Sequence, residues 1–142
     1  DDAYYKSLNN YLTTNKFKAG EAGQMRLSFE EVTGKDMNWF WNSWFFTYGY
    51  IDLAVAGIEK RTDGSAVTIK NAGGFPAPVN IVVTFEDNTT ETLHQTPAIW
   101  EKNMKEAVVR VASPKSIKSV TLDGGIYMDF NEANNKWLVA AK

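Results

Sequence analysis

The sequence predicts an α+β chain. A short N-terminal segment of about three helices, residues 1–49, precedes an immunoglobulin-like antiparallel β-sandwich, residues 50–142. Three observations predict it. Apolar residues recur at helical spacing as far as Gly49; beyond it they alternate along short runs; and turn-forming residues break those runs about every 8 to 12 positions. The 142 residues are enough for a core, because a chain of this size buries roughly two thirds of the surface that it exposes unfolded.

The spacing predicts a first helix over residues 2–17. Tyr4, Tyr5, Leu8, Tyr11 and Leu12 fall on one stripe, and Asp1 and Asp2 suit a helix N-terminus. A second helix is predicted over 20–33, with Met25, Phe29 and Val32 on one face and Gly34 as a left-handed C-terminal residue. Asp36 is expected to cap a third helix over 37–48, where Met37, Phe40, Trp41, Trp44, Phe45 and Tyr48 form a wide stripe with Trp39 and Phe46 off it. Eight of the 19 aromatic residues lie between Trp39 and Tyr50, so this helix is expected to be covered on more than one face. Three short helices do not provide that cover, so either the β region that follows or further protein is expected to pack here. Trp39, Trp41, Trp44, Phe45 and Tyr48 are read as an interdomain packing surface.

About seven strands are predicted from Ile51 onward. Leu53, Val55 and Ile58 mark the first, with a bulge at Gly57. Thr62-Asp63-Gly64 turns into the second, where Val67 and Ile69 alternate. Gly73-Gly74 is read as a hairpin-type connection, stiffened by Pro76 and Pro78. Val79, Ile81, Val83 and Phe85 give the cleanest alternation, followed by an acidic turn and a polar strand, Thr90–Gln95. Ala107, Val109 and Val111 mark the fifth strand, and Val120 and Leu122 the sixth. Tyr127–Phe130 and Trp137–Val139 are read as the last pairing.

Composition narrows the function classes. With 15 basic and 17 acidic residues the net charge is −2, and residues 1–50 carry five basic and six acidic side chains. Neither half is a basic footprint, so nucleic-acid binding is not expected. No apolar run reaches the roughly 20 residues of a membrane span. The start, Asp1-Asp2-Ala3-Tyr4-Tyr5, lacks a signal-peptide pattern. The absence of Cys rules out disulfides and thiolate metal sites.

Candidate chemistry is sparse. His94 is the only histidine, so any triad or histidine-ligated metal would have to use it; its polar surroundings read as an exposed strand. Glu30 and Glu31 are adjacent on a helix, about 100° apart, and read as a solvated face rather than a catalytic pair. Asp129-Phe130-Asn131-Glu132-Ala133-Asn134-Asn135 lacks the spacing and glycine of an EF-hand loop, which leaves an Asx-rich turn or an irregular cation site. Gly73-Gly74 has no phosphate-loop context.

The stretch from Phe29 to Phe45, FEEVTGKDMNWFWNSWF, resembles the last helices of the catalytic domain in the aminopeptidase N family of zinc metallopeptidases (gluzincin type). The shared pattern is an acidic helix end, Thr-Gly, a capping Asp, and an aromatic helix ending in Trp-Phe, with Gly49 a few residues on. The family's Gly-x-Pro is replaced here by Gly49-Tyr50-Ile51. Gly74-Phe75-Pro76-Ala77-Pro78-Val79 resembles the entry to a strand of the family's β-sandwich. Asp129-x-Asn131-x-x-Asn134-Asn135-x-Trp137 resembles the close of that sandwich in bacterial members without a further helical domain.

The resemblance implies a non-catalytic C-terminal fragment that braces the catalytic domain of a parent hydrolase cleaving N-terminal peptide bonds. The family's H-E-x-x-H, its later zinc-ligand Glu, its substrate loop and its catalytic Tyr are not in this sequence. No catalytic, cofactor or metal residue is therefore assigned, and this chain is not expected to be an enzyme. Zinc is expected in the parent. The implied partner is the rest of the catalytic domain, and the implied location is the periplasm or outside the cell. Two alternatives stand beside this reading: a sandwich that binds carbohydrate or protein, and an association domain that forms a homo-oligomer through the aromatic helix.

Overall fold

The computed structural model describes residues 2–123, 125 and 128–140. The chain forms two compact units, Asp1–Thr47 and Tyr48–Lys142. The first holds three helices and the second two antiparallel sheets with seven strands, an N-terminal helical segment followed by a β-sandwich.

In the helical unit, α1 spans Asp2–Thr14, α2 Ala22–Thr33 and α3 Asn38–Phe45. All three are shorter than the apolar spacing predicts. The chain leaves α1 at Asn15, whose side-chain amide and backbone N–H both donate to the Tyr11 carbonyl, at 2.9 and 3.0 Å. Phe17 then takes a left-handed φ of 63°, which no continuing helix accommodates. α2 ends at Gly34 as expected: the glycine has φ 66°, and its N–H donates to the Glu30 carbonyl.

The α1–α2 contact is polar and close. Ser7 and Ser28 are its buried residues. The Ser28 hydroxyl donates to the Ser7 carbonyl at 2.8 Å, and the Asn10 amide donates to the Ser28 hydroxyl and to Glu31 Oε2, each at 3.0 Å. Small side chains let the helices approach, and each hydroxyl has a partner, as burial demands. Tyr4, Tyr5 and Leu12, all on the predicted stripe, remain half or more exposed. The α1–α2 contact thus combines these small polar side chains with one aromatic contact, Tyr4 edge-to-face on Phe29.

The β unit follows the alternation closely. β1 spans Leu53–Arg61, β2 Gly64–Asn71, β3 Val79–Phe85, β4 Thr90–Gln95, β5 Glu106–Val111, β6 Ile117–Asp123 and β7 Lys136–Leu138. One sheet has the order β1-β2-β5 and the other β4-β3-β6-β7. The register shifts between Val55 and Gly57, placing the predicted bulge at Ala56. Gly64 closes the β1–β2 turn with φ 140°, and a Cβ there would lie 2.2 Å from the Val111 carbonyl oxygen, so glycine is required.

Both sheets contribute alternate residues to one core. In β3, Val79, Ile81, Val83 and Phe85 are buried; β2 adds Val67 and Ile69, and β5 adds Val109 and Val111. Period-two burial on both sheets is the signature of a sandwich.

Two features differ from expectation, and a third has no counterpart among the predicted elements. Gly73-Gly74 is not a hairpin, because β2 and β3 lie in different sheets; the segment is a crossover. It is pinned there by the Gly73 N–H to Asp52 carbonyl bond and by the Gly74 N–H to Asn71 Oδ1 bond. The partner of the last strand is β6, with Val120 opposite Trp137, rather than residues 127–130. Tyr127 lies outside the described residues, and residues 128–130 are not a strand. Pro97–Trp100 forms a 3-10 turn that brings Trp100 into the core.

Asp87, in the β3–β4 turn, has a lowered carboxyl pKa. Lys115 Nζ lies 2.7 Å from Asp87 Oδ2, and the Thr89 hydroxyl and N–H donate to Oδ1. The Lys115 hydrogen bond first, then those from Thr89, hold the Asp87 carboxyl down to about 2. A depressed carboxyl stabilises the fold above its ordinary value of 3.8, and this contribution is lost as pH falls toward 2. Lys115→Met is expected to raise the Asp87 midpoint toward 3.8, followed by carboxyl NMR titration. An unchanged midpoint would remove Lys115 as the cause.

Candidate docking face

The helical unit places an aromatic chain across its three helices. Ring centroids step from Tyr5 to Tyr4 at 5.5 Å, to Phe29 at 5.9 Å, to Trp41 at 5.9 Å and to Phe45 at 4.6 Å. The first three contacts are edge-to-face and the last is stacked, the geometries that the ring quadrupole favours. Phe40 joins through Trp41 at 6.3 Å and extends the cluster to Trp44 at 6.2 Å and Trp39 at 5.7 Å.

The start of α3 is fixed by acidic side chains of its own neighbourhood. Glu30 Oε1 accepts the Met37 N–H at 3.0 Å, while Glu30 Oε2 pairs with Arg26 at 2.6 Å. Asp36 Oδ1 accepts the Asn38 N–H at 2.8 Å, although the N-cap position itself falls on Met37. Glu30 is thus a structural brace between α2 and α3. Glu31 receives the Asn10 amide instead, so the two carboxylates serve different partners, as their angular separation requires.

Beside these helices lies an apolar groove of about 570 Å³, lined by Tyr4, Met25, Phe29, Met37, Phe40, Trp41, Trp44 and Phe45. Among the described residues, no charged side chain lines it. It offers burial to another apolar surface, and it holds no acid, base or nucleophile beyond the Tyr4 phenol.

The five residues predicted to brace are not equivalent. Trp41 is 7% exposed and sits at the centre. Its indole Nε1–H is buried without a hydrogen-bond partner among the described residues. Trp39 and Trp44 are half-buried, and Phe45 is exposed at the groove rim. Tyr48 lies beyond the end of α3, outside the helical unit, and is fully exposed. Tyr4, Met25, Phe29, Met37 and Phe40 complete the groove without having been assigned to it. All five lay on predicted stripes, and their convergence depends on how the three helices are connected.

The other candidates are occupied structurally. His94 is an exposed β4 residue opposite Asn80, with its Nδ1 2.7 Å from Asn80 Oδ1. In the Asp129 loop, Oδ1 accepts the Asn131 N–H at 2.9 Å and Oδ2 accepts the Leu53 N–H at 2.8 Å. Asn134 donates to the buried Asp52 at 2.9 Å. This is an Asx turn that ties the end of the chain to the start of β1. Among the described residues, no group of three or more His, Cys, Asp or Glu gathers as a metal site. No described helix is long and apolar enough to cross a membrane. No family model matches the chain, and no curated protein matches it.

Proposed function

We propose that the chain is the non-catalytic C-terminal part of a zinc aminopeptidase-like metallopeptidase, and that its helical unit braces the catalytic domain through the aromatic face of α3. The carrying observation is the imbalance of the helical unit. Trp41 is its only buried apolar side chain among the described residues, whereas Tyr4 and Phe45 are exposed on an open apolar groove and Tyr5, Leu12, Leu27 and Phe46 are exposed elsewhere on the unit. A unit of this size with so small a core is completed by packing on further protein.

The helix motif from Phe29 to Phe45 supplies the kind of protein: the family in which this pattern closes the catalytic domain. The zinc belongs to residues outside this chain. His94 is alone, and the described residues offer no ligand set, so no catalytic step is assigned to any of them. The contribution of this chain to the parent enzyme is mechanical: a sandwich with its own core, and a helical unit whose aromatic face is buried on assembly.

The 142-residue chain alone is expected to self-associate with rising concentration in sedimentation velocity. Phe45→Asp places a charge on the groove rim, since Phe45 lines it and is mostly exposed. That variant is expected to weaken association roughly tenfold or more, the scale of losing an apolar anchor and desolvating a charge. Unchanged far-UV dichroism would show that the variant keeps its fold. A wild-type chain that stays monomeric throughout would contradict an uncovered packing face. The alternative binding-module reading draws on Tyr50 and Phe130, exposed rings 4.8 Å apart in the β unit. A saturable, stoichiometric change in tryptophan fluorescence on titration with glycans would favour it.

A further inference from the structure

We draw no further inference here: the strongest candidate, the apolar groove of the helical unit lined by Phe29, Phe40, Trp41 and Phe45, belongs to the docking face already described, and nothing in the structure shows what else covers it.

Discussion

Replacing Trp100 by Ala is expected to lower the unfolding free energy of the β unit by about 3–5 kcal/mol, the range for removing a large aromatic from a packed core. Trp100 is fully buried, and its Nε1 donates to the Ala77 carbonyl at 2.8 Å. That bond ties the 3-10 turn after β4 to the crossover before β3. The substitution opens a cavity and orphans a carbonyl whose residue is itself fully buried. Trp100→Phe retains most of the volume and removes only the donor, so a smaller loss of about 1–3 kcal/mol is expected. Trp137 lies in the edge strand β7 and is exposed, so Trp137→Ala is expected to cost less than either. Urea unfolding of the three variants orders them. A Trp100→Ala loss no greater than that of Trp137→Ala would show that the turn does not anchor the core.

Separating the two units is expected to have opposite consequences for them. Residues 48–142 carry nearly all of the buried apolar side chains: Leu53, Val67, Ile69, Val79, Ile81, Val83 and their neighbours on both sheets. This fragment is expected to keep its β dichroism and a cooperative thermal transition. Among the described residues of 1–47, one apolar side chain, Trp41, is buried, beside a serine-mediated contact between α1 and α2. Chains of that length rarely hold a fold without a metal, a disulfide or a partner. The 1–47 peptide is therefore expected to lose its near-ultraviolet tryptophan signal and to melt without a cooperative transition. Loss of all sandwich structure in residues 48–142 would contradict two semi-independent units. Cooperative melting of the helical peptide as a monomer would contradict the need for a partner.

The sandwich was legible because its signal is local. Val79, Ile81, Val83 and Phe85 alternate without interruption, and the strand has the predicted limits. Gly34 and the β1–β2 turn were legible for the same reason, since a left-handed residue favours glycine wherever it occurs. Trp100 was not, because Pro97–Trp100 lies between strands and has no period that points a side chain inward. Its burial depends on reaching the Ala77 carbonyl, 23 residues away. The hairpin reading of Gly73-Gly74 failed similarly: loop composition indicates a connection but not which sheet receives the next strand.

The docking face was half legible. The α3 stripe included Trp41 and Phe45 without distinguishing a buried centre from a rim, and the apolar period continued the helix to Tyr48. The helix ends at Phe45, and the next residue closes the turn by donating its N–H to the Asn42 carbonyl. Glu30 looked like a solvated acid in the sequence. Its pair with Arg26 is an i,i+4 contact within α2 that helix spacing permits, whereas its bond to the Met37 N–H arises only when residues 33–36 fold back, a tertiary event that helix periodicity does not encode. On α1, hydrophobicity marked the tyrosines, while close helix approach selected Ser7 for burial.

Sequencing the gene on the 5′ side of the Asp1 codon tests the proposed function most directly. The expected result is an in-frame H-E-x-x-H, a later zinc-ligand Glu and a downstream Tyr, which together supply the metal ligands and the acid/base groups that this chain does not contain. An upstream frame without those residues, or an initiation codon immediately before Asp1, would contradict the assignment to a zinc aminopeptidase. The aromatic face of α3 would then be a surface for a separate partner.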